Sequence, residues 1–176
     1  MDAVKILPHY TYSDYLHWEG KWEVIDGIPY AMSPAPVPNH QQIAVNLSTE
    51  FVIPLKNCKK CRVYQPIDYL IADDIILQPD LLIVCEEIKK KFLDFPPVLV
   101  VEILSPSTAL KDRHTKYALY QSQGIKYYLI VDPDSREAEV YQRENSGYLL
   151  KQKGNDFTFE FLLEDCRALV NFKEIW

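Results

Sequence analysis

The apolar residues of the chain gather in strand-length runs separated by polar turns. Residues 80–85 (DLLIVC), 98–104 (VLVVEIL) and 125–132 (IKYYLIVD) are almost continuously apolar, a pattern typical of buried strands. Over residues 40–55, apolar side chains instead recur every three or four positions. This spacing predicts a helix with Asn39 as its N-cap.

Turn residues organise the segment that precedes this helix. Residues 11–17 predict a short helix. Asp-Gly is a strong hairpin signal, so Asp26 and Gly27 predict a turn between strands over residues 21–25 and 28–32. The proline-rich run SPAPVPNH that follows predicts an extended loop, because proline disrupts a helix interior.

The remaining segments predict further strands and one more helix. Residues 62–72 predict a strand bent at Pro66, and residues 108–123 predict a helix. Alternating apolar and polar positions then predict a hairpin around residues 145–147, and DFTFEFLL predicts another strand.

Length and composition fit one globular domain. The chain has 176 residues, 48% of them apolar and 25% charged. With the order of elements, this predicts a single α/β (α+β) domain over residues 1–176, in which helices cover a mixed central sheet. A net charge of −6 argues against general coating of nucleic acid but not against a local basic cleft. The N-terminus has no signal-peptide core and the apolar runs are strand length, so we expect a cytoplasmic protein without a membrane span.

Four cysteines raise the question of a metal site or disulfides. Cys58 and Cys61 form one C-x-x-C, whereas Cys85 and Cys166 are isolated. A structural zinc site usually has a second ligand pair at close spacing, and the sequence shows none. Without a secretion signal, disulfides are not expected either. We therefore expect reduced, partly buried thiols.

Two carboxylates interrupt the apolar strands. Asp80 opens the first and Glu102 lies within the second, where a charge is costly unless it is paired or bound. If the strands form an antiparallel pair, the midpoint between the two residues is Lys91, so the carboxylates lie opposite each other. Mg²⁺ or Mn²⁺ would relieve their repulsion. The alternative is that Asp80 only begins a strand and Glu102 pairs with a lysine or arginine.

Three further residues are candidates for the same site. Lys116 lies four residues after Asp112, so the two form either a surface ion pair or a pair whose lysine points at the carboxylates. His40 is either a ligand or proton carrier, or a surface or capping residue. Glu23 is either part of the site or a solvent-facing strand residue.

The combined motif resembles a known family. The pattern QPDLLIV, PVLVVEILSPST and D-x-x-x-K-x-x-x-Y-x-x-x-G-I-x-x-Y-x-I-V-D-P is similar to that of the Uma-two family, described as restriction-type endonucleases of the PD-(D/E)XK superfamily. The resemblance covers most of the chain and implies a restriction-endonuclease-like core. It implies that Asp80, Glu102 and the backbone carbonyl of Ile103 hold a metal ion.

One position departs from the general superfamily pattern. The lysine expected two residues after the acidic residue is replaced by Leu104. In the Uma-two family the lysine is found in the following helix, which matches Lys116, and Glu23 and His40 match recurring positions that line the site.

These observations support two functions of different kinds. The first is a Mg²⁺- or Mn²⁺-dependent endonuclease that hydrolyses DNA phosphodiester bonds with Asp80, Glu102 and Lys116. The second is a non-catalytic interaction module with a nuclease-like fold, which the acidic net charge favours. The strands predicted after Pro133 form a C-terminal β extension. Exposed strands in this extension predict a homodimer.

Overall fold

The computed structural model of the protein describes residues 7–32, 36–145 and 147–176. The helices are α1 (Tyr12–Tyr15), α2 (Pro38–Leu55), a π-helix (Lys111–Lys116), α3 (Tyr117–Ser122) and a 3-10 helix (Phe172–Ile175). The strands are β1 (Trp22–Ile25), β2 (Ile28–Ala31), β3 (Arg62–Tyr64), β4 (Tyr69–Ala72), β5 (Ile75–Leu77), β6 (Leu81–Val84), β7 (Leu99–Ile103), β8 (Tyr127–Asp132), β9 (Glu137–Glu144), β10 (Gly147–Gly154), β11 (Thr158–Leu163) and β12 (Cys166–Asn171).

A four-stranded antiparallel sheet has the order β2-β1-β5-β4. Its β1–β2 hairpin turns at Asp26 and Gly27, whose φ angles are 51° and 73°. Two successive positive φ angles are what a tight hairpin turn requires, and Asp-Gly adopts them readily. The hairpin predicted from this dipeptide is confirmed.

A six-stranded mixed sheet, in the order β10-β9-β8-β7-β6-β3, forms the centre of the fold. β7 and β8 are parallel, and the other neighbours are antiparallel. Leu81 and Ile83 face a core shared with α2, whereas Leu82 and Val100 face a second core that includes Tyr120 of α3. The predicted architecture, a mixed central sheet covered by helices, is confirmed.

The pairing of β6 with β7 has the predicted register. Leu81 lies opposite Val101, and Ile83 lies opposite Leu99. Continued by one residue, this register places Asp80, just before β6, opposite Glu102.

Two local predictions are wrong for identifiable reasons. Residues 62–72 form two strands, because the chain leaves the six-stranded sheet after β3 and enters the four-stranded sheet at β4, with Pro66 between them. Helix α2 begins at Pro38 rather than after Asn39, and Val37 is its cap residue. Proline suits a first helical position, since its N–H group is missing and its φ is fixed.

The C-terminal part forms the predicted hairpin and the predicted further strand, β11, which pairs with a strand that was not predicted, β12. β9 pairs with β10. Ser146 of the predicted turn and residues 33–35 of the predicted extended loop lie outside the described residues. β11 and β12 form a separate two-stranded sheet whose buried side chains join the core against α2. Within the described ranges, no helix has both the length and the apolar character that crossing a membrane requires.

The cysteines differ from the expectation of reduced thiols. Cys58 is bonded to Cys166, and Cys61 is bonded to Cys85. Register explains the second pair: Arg62 lies opposite Val84, so Cys61 and Cys85 face each other one residue further along β3 and β6. Sequence spacing alone did not reveal these long-range encounters.

Candidate active site

The strand pair β6–β7 carries two carboxylates at one end. Asp80 Oδ2 accepts a 2.7 Å hydrogen bond from the backbone N–H of Ile103, which fixes the aspartate against the end of β7. Side chains alternate along a strand, so Glu102 points to the face opposite Val101 and Ile103. It therefore projects towards the side of the sheet that the π-helix and α3 cover.

Glu102 is buried, with 2% of its surface exposed. Its Oε1 accepts hydrogen bonds from Tyr120 Oη at 2.6 Å and from Lys116 Nζ at 3.0 Å. Burial raises the pKa of the Glu102 carboxyl well above its ordinary value; Lys116 opposes the shift and nearby carboxylates, first that of Asp112, add to it. Additional positive charge near Glu102 would therefore stabilise the ionised form of its carboxyl group.

Lys116 is the centre of a buried ion-pair network. Its Nζ lies 2.6 Å from Glu23 Oε1, 3.0 Å from Glu102 Oε1 and 3.4 Å from Asp112 Oδ1. Burial alone would lower the pKa of Lys116, but the carboxylates of these three residues, led by Glu102, raise it well above its ordinary value. At neutral pH the lysine is therefore a fixed cation.

The π-helix explains how two lysines reach one carboxylate. Lys111 Nζ lies 2.5 Å from Glu23 Oε2, while Lys116 contacts the other oxygen. Residues five apart point in different directions on an α-helix, which has 3.6 residues per turn, but lie close together on the wider π-helix, whose hydrogen bonds join residues five apart. The regular helix predicted over residues 108–123 would not have placed both ammonium groups here.

Glu23 holds the network from the neighbouring sheet. It lies in β1 and is fully buried, and its Oε1 also accepts a hydrogen bond from the backbone N–H of Gln78 at 3.0 Å. Burial alone would raise the pKa of Glu23, but Lys116 and Lys111 together lower it below its ordinary value. Glu23 is therefore an ionised member of the site, not the solvent-facing strand residue of the alternative interpretation.

His40 borders the oxygens at the end of β7. Its Nε2 lies 3.3 Å from Asp80 Oδ2 and 3.0 Å from the carbonyl oxygen of Ile103. Burial alone would lower the pKa of His40, but the hydrogen bond and charge of Asp80, with the Ile103 carbonyl, raise it. Helix α2, which begins at Pro38, places this side chain in the site and not on the surface.

Asp112 adds a fourth carboxylate and reveals an imbalance of charge. Its Oδ1 is a buried acceptor without a hydrogen-bond partner among the described residues, although Lys116 Nζ lies 3.4 Å away. Burial raises the pKa of this carboxyl. The site thus contains four carboxylates, with Asp112, Glu23 and Glu102 around the two lysines and Asp80 beside His40. A cation would stabilise the ionised forms of these carboxylates.

The structure brings together all the residues that the sequence singled out. They are Glu23, His40, Asp80, Glu102, Ile103 and Lys116. The alternative for Glu102, pairing with a lysine, also describes the geometry, because Lys116 is that partner. The proposed surface pair of Asp112 and Lys116 is wrong, since both side chains are buried.

Two members of the network, Lys111 and Tyr120, were not predicted as site residues, whereas Asp112 was predicted only as a partner of Lys116. The spacing of Tyr120 from Lys116, four residues, is the signal that could have found it. Lys111 carries no such signal, because its approach depends on the π-helix.

Two clusters of basic residues, Lys111 with Arg113 and Lys116, and Lys60 with Arg62, form contacts within the protein. Lys111 and Lys116 are bound to carboxylates, and Arg113 is paired with Glu139. In the other cluster, Arg62 donates hydrogen bonds to backbone carbonyls and Lys60 pairs with Asp165.

Comparison with a solved structure identifies the class of fold. The protein superposes with a TM-score of 0.74 on the crystal structure of a "putative nuclease belonging to DUF820" from Anabaena variabilis, with 94% of this chain and 96% of that chain covered. Sequence identity is 16%, so this likeness shows the fold alone. The fold is therefore that of a nuclease-like α+β protein.

Sequence comparison identifies the family. The Uma2 family model, described as "Putative restriction endonuclease", matches residues 12–167, and the chain belongs to this family. It is also 33% identical over 150 residues to an uncharacterized protein of Synechocystis sp., covering 80% of this chain and 78% of that protein. The resemblance to the Uma-two family is thus confirmed, and membership supports a nuclease function.

Proposed function

We propose that the protein is a metal-dependent endonuclease that hydrolyses phosphodiester bonds of DNA. The observation that carries the proposal is the convergence of Asp80, Glu102 and Lys116 at one end of the β6–β7 pair. The proposal treats residues 1–176 as one nuclease domain.

The chemistry of the site suits Mg²⁺ or Mn²⁺. Both ions prefer oxygen ligands, which the carboxylates of Asp80 and Glu102 and the carbonyl of Ile103 supply. The surplus of carboxylates over lysines supports the same conclusion from electrostatics, as does Asp112 Oδ1, which accepts no hydrogen bond from the described residues and lies 3.4 Å from Lys116 Nζ. When bound, such an ion polarises the phosphate and lowers the pKa of an attacking water.

The protein's own groups would orient the reaction. Lys116 stays protonated, so in this proposal it stabilises negative charge and does not act as a general base. Tyr120 holds the Glu102 carboxylate by its hydroxyl, and Glu23 holds the lysine. Lys116 is enclosed, whereas 17% of the Asp80 side chain is exposed, so a phosphate would approach from the Asp80 and His40 side.

One observation favours the alternative of a non-catalytic interaction module. Lys116 contacts three carboxylates at once and is 2% exposed, as expected of a lysine whose role is to hold a fold together. A structural network of this kind needs no metal and no substrate. The two functions therefore differ in whether the site binds a divalent ion.

Metal titration combined with DNA cleavage tests the proposal. Mg²⁺ and Mn²⁺ would be titrated calorimetrically into the wild type and Asp80→Asn, and the same samples assayed for nicking of supercoiled plasmid and cleavage of single-stranded DNA. We expect metal binding and metal-dependent cleavage by the wild type, and loss of both in the variant. The matched control is Asp94→Asn, which removes an exposed carboxylate paired with Lys90.

The outcomes separate the two functions. Metal binding without cleavage of either DNA would refute the DNA nuclease while retaining the metal site. A folded wild type that binds neither ion would favour the interaction module.

Association and location are further parts of the proposal. Leu149 and Leu150 on β10, an edge strand of the central sheet, are about half exposed and support pairing of two copies. Light scattering during size-exclusion chromatography would reveal a homodimer. The expected cytoplasmic location would be checked by cell fractionation.

A further inference from the structure

Four cysteines from distant parts of the chain meet in one cluster. Cys58 follows α2, Cys61 precedes β3, Cys85 follows β6 and Cys166 begins β12. The sulfur atoms of Cys58, Cys61 and Cys166 all lie within 4.8 Å of one another, and the sulfur of Cys85 is bonded to that of Cys61. Each member of the C-x-x-C pair is thus bonded to a cysteine from a distant segment of the chain.

This arrangement has the composition of a tetrahedral thiolate site. Structural zinc sites often contain four cysteines, two of them in a C-x-x-C turn. With zinc–sulfur bonds of about 2.3 Å, the sulfurs of such a tetrahedron are about 3.8 Å apart. The three sulfurs that lie within 4.8 Å of one another include the bonded pair Cys58–Cys166, so reduction of that bond would let them separate to this spacing without a large movement of the chain. The sequence contains no second close cysteine pair, but the fold brings Cys85 and Cys166 to the C-x-x-C turn as the other two ligands.

Hydrogen bonds shape the C-x-x-C turn for negatively charged sulfur. The backbone N–H of Cys61 points at Cys58 Sγ, 3.1 Å away, and a donor in this position favours a thiolate. Arg62 Nη1 donates to the carbonyl oxygens of Cys58 and Cys61, at 2.9 and 3.0 Å, and so holds both ends of the turn.

Basic residues predominate in a surface depression beside the cluster. One zinc ion with four thiolates carries a net charge of −2, which nearby cations stabilise. Lys59, Lys60 and Arg167, against the single acidic residue Asp165, line this depression of about 390 Å³, which Cys58 and Cys166 also line. Nearby lysine and arginine lower thiol pKa values and promote the thiolate form. The depression also gives an ion a path to the sulfurs.

We infer that the reduced protein binds one Zn²⁺ ion through Cys58, Cys61, Cys85 and Cys166. Each disulfide takes two electrons and two protons on reduction, giving four thiols, which release their protons as they bind the metal. The ion joins the turn of the β11–β12 hairpin to the edge of the central sheet. A two-stranded hairpin is marginally stable alone, so this anchor stabilises the C-terminal extension.

This inference is independent of the proposed nuclease function. Cys85 and Asp80 lie at opposite ends of β6, five residues and about 17 Å apart by the rise of an extended strand. Sulfur ligands at one end and oxygen ligands at the other select different ions. Binding at the two places can therefore be measured separately.

Cobalt and zinc titration of the reduced protein tests the inference. The full chain would be reduced with a phosphine, which becomes the phosphine oxide with oxygen from water, and titrated anaerobically with Co²⁺. We expect one Co²⁺ per chain at the cysteines, counted by the thiolate-to-cobalt charge-transfer band and the intense visible bands of a tetrahedral thiolate site. Zn²⁺ should displace the cobalt stoichiometrically and abolish these bands.

Matched variants locate the bound ion. Asp80→Asn should keep the cobalt spectrum, whereas Cys166→Ser should weaken its charge-transfer band and bind Zn²⁺ at least tenfold more weakly. If Cys166→Ser does not fold, the stoichiometry and spectrum of cobalt bound to the wild type still show whether the cysteines hold the ion. Reduced wild type that binds less than one Co²⁺, or binds it without a thiolate band, would overturn the inference and leave the cysteines as two disulfides.

Discussion

Replacing Lys116 by methionine should be among the most damaging single substitutions in this protein. Methionine fills a similar volume but removes the ammonium group that lies 2.6–3.4 Å from Glu23, Glu102 and Asp112. Removing one partner of a buried ion pair leaves uncompensated charge and costs about 3–5 kcal/mol. For a chain of this length, each kcal/mol shifts Tm by about 2–4 °C, so Lys116→Met should melt roughly 6–20 °C below the wild type.

The loss should depend on pH in a defined direction. Without Lys116, the buried carboxyls have pKa values above those of the unfolded chain, because burial raises the pKa of Glu102 and Asp112 and the opposing lysine is gone. Carboxyls with raised pKa values are favourable while protonated, and their stability is lost as pH rises through the folded-state pKa. The deficit of Lys116→Met should therefore be smallest near the ordinary carboxyl pKa of about 4 and should grow as pH rises.

Urea unfolding followed by circular dichroism, in one redox and metal condition, measures this deficit. Lys90→Met is the control, since Lys90 forms an exposed pair with Asp94, and its unfolding midpoint should match the wild type at every pH. A Lys116→Met protein within about 1 kcal/mol of the wild type at pH 8 would refute the description of Lys116 as the centre of a buried network.

Two more substitutions test other hydrogen bonds. Tyr120→Phe removes a buried donor to Glu102 and should cost about 1–3 kcal/mol in urea unfolding; a neutral result would show that the Glu102 carboxylate does not need this donor. Glu139→Gln breaks the pairs with Arg113 and Tyr141. Burial alone would raise the pKa of Glu139, but Tyr141 and Arg113 lower it, so its contribution exists above the unfolded pKa and disappears as pH falls through the folded one. The variant should lose about 1 kcal/mol at pH 7, allowing for solvent around Arg113, and match the wild type near about pH 3; a loss that persists in acid would contradict the ionic interpretation.

Much of the fold followed from local pattern. The Asp26-Gly27 turn, helix α2 and the β6–β7 register were recoverable because each depends on turn chemistry or on periodicity over a few residues. The register also predicted that Asp80 and Glu102 lie opposite each other, since arithmetic across one hairpin needs no long-range information.

What local pattern could not supply was contact across long sequence separations. Glu23 lies in β1 and Lys116 lies 93 positions later in the π-helix, so the sequence around one residue does not predict contact with the other. The bond between Cys58 and Cys166, which are 108 residues apart, could not be predicted for the same reason. The change of sheet near Pro66 was mistaken for a bend, because a proline between two apolar runs is compatible with either outcome.

The π-helix has a consequence for how the position of the lysine is compared among related proteins. Each residue of a regular α-helix advances about 100° around its axis, so converting the π turn to an α turn by deleting one residue would rotate the lysine towards a different side. A related chain with a regular helix here would need its lysine at another distance from the acidic strand to reach the same carboxylates. Helical pitch, and not a fixed count of residues after Glu102, therefore determines which lysine can serve this position.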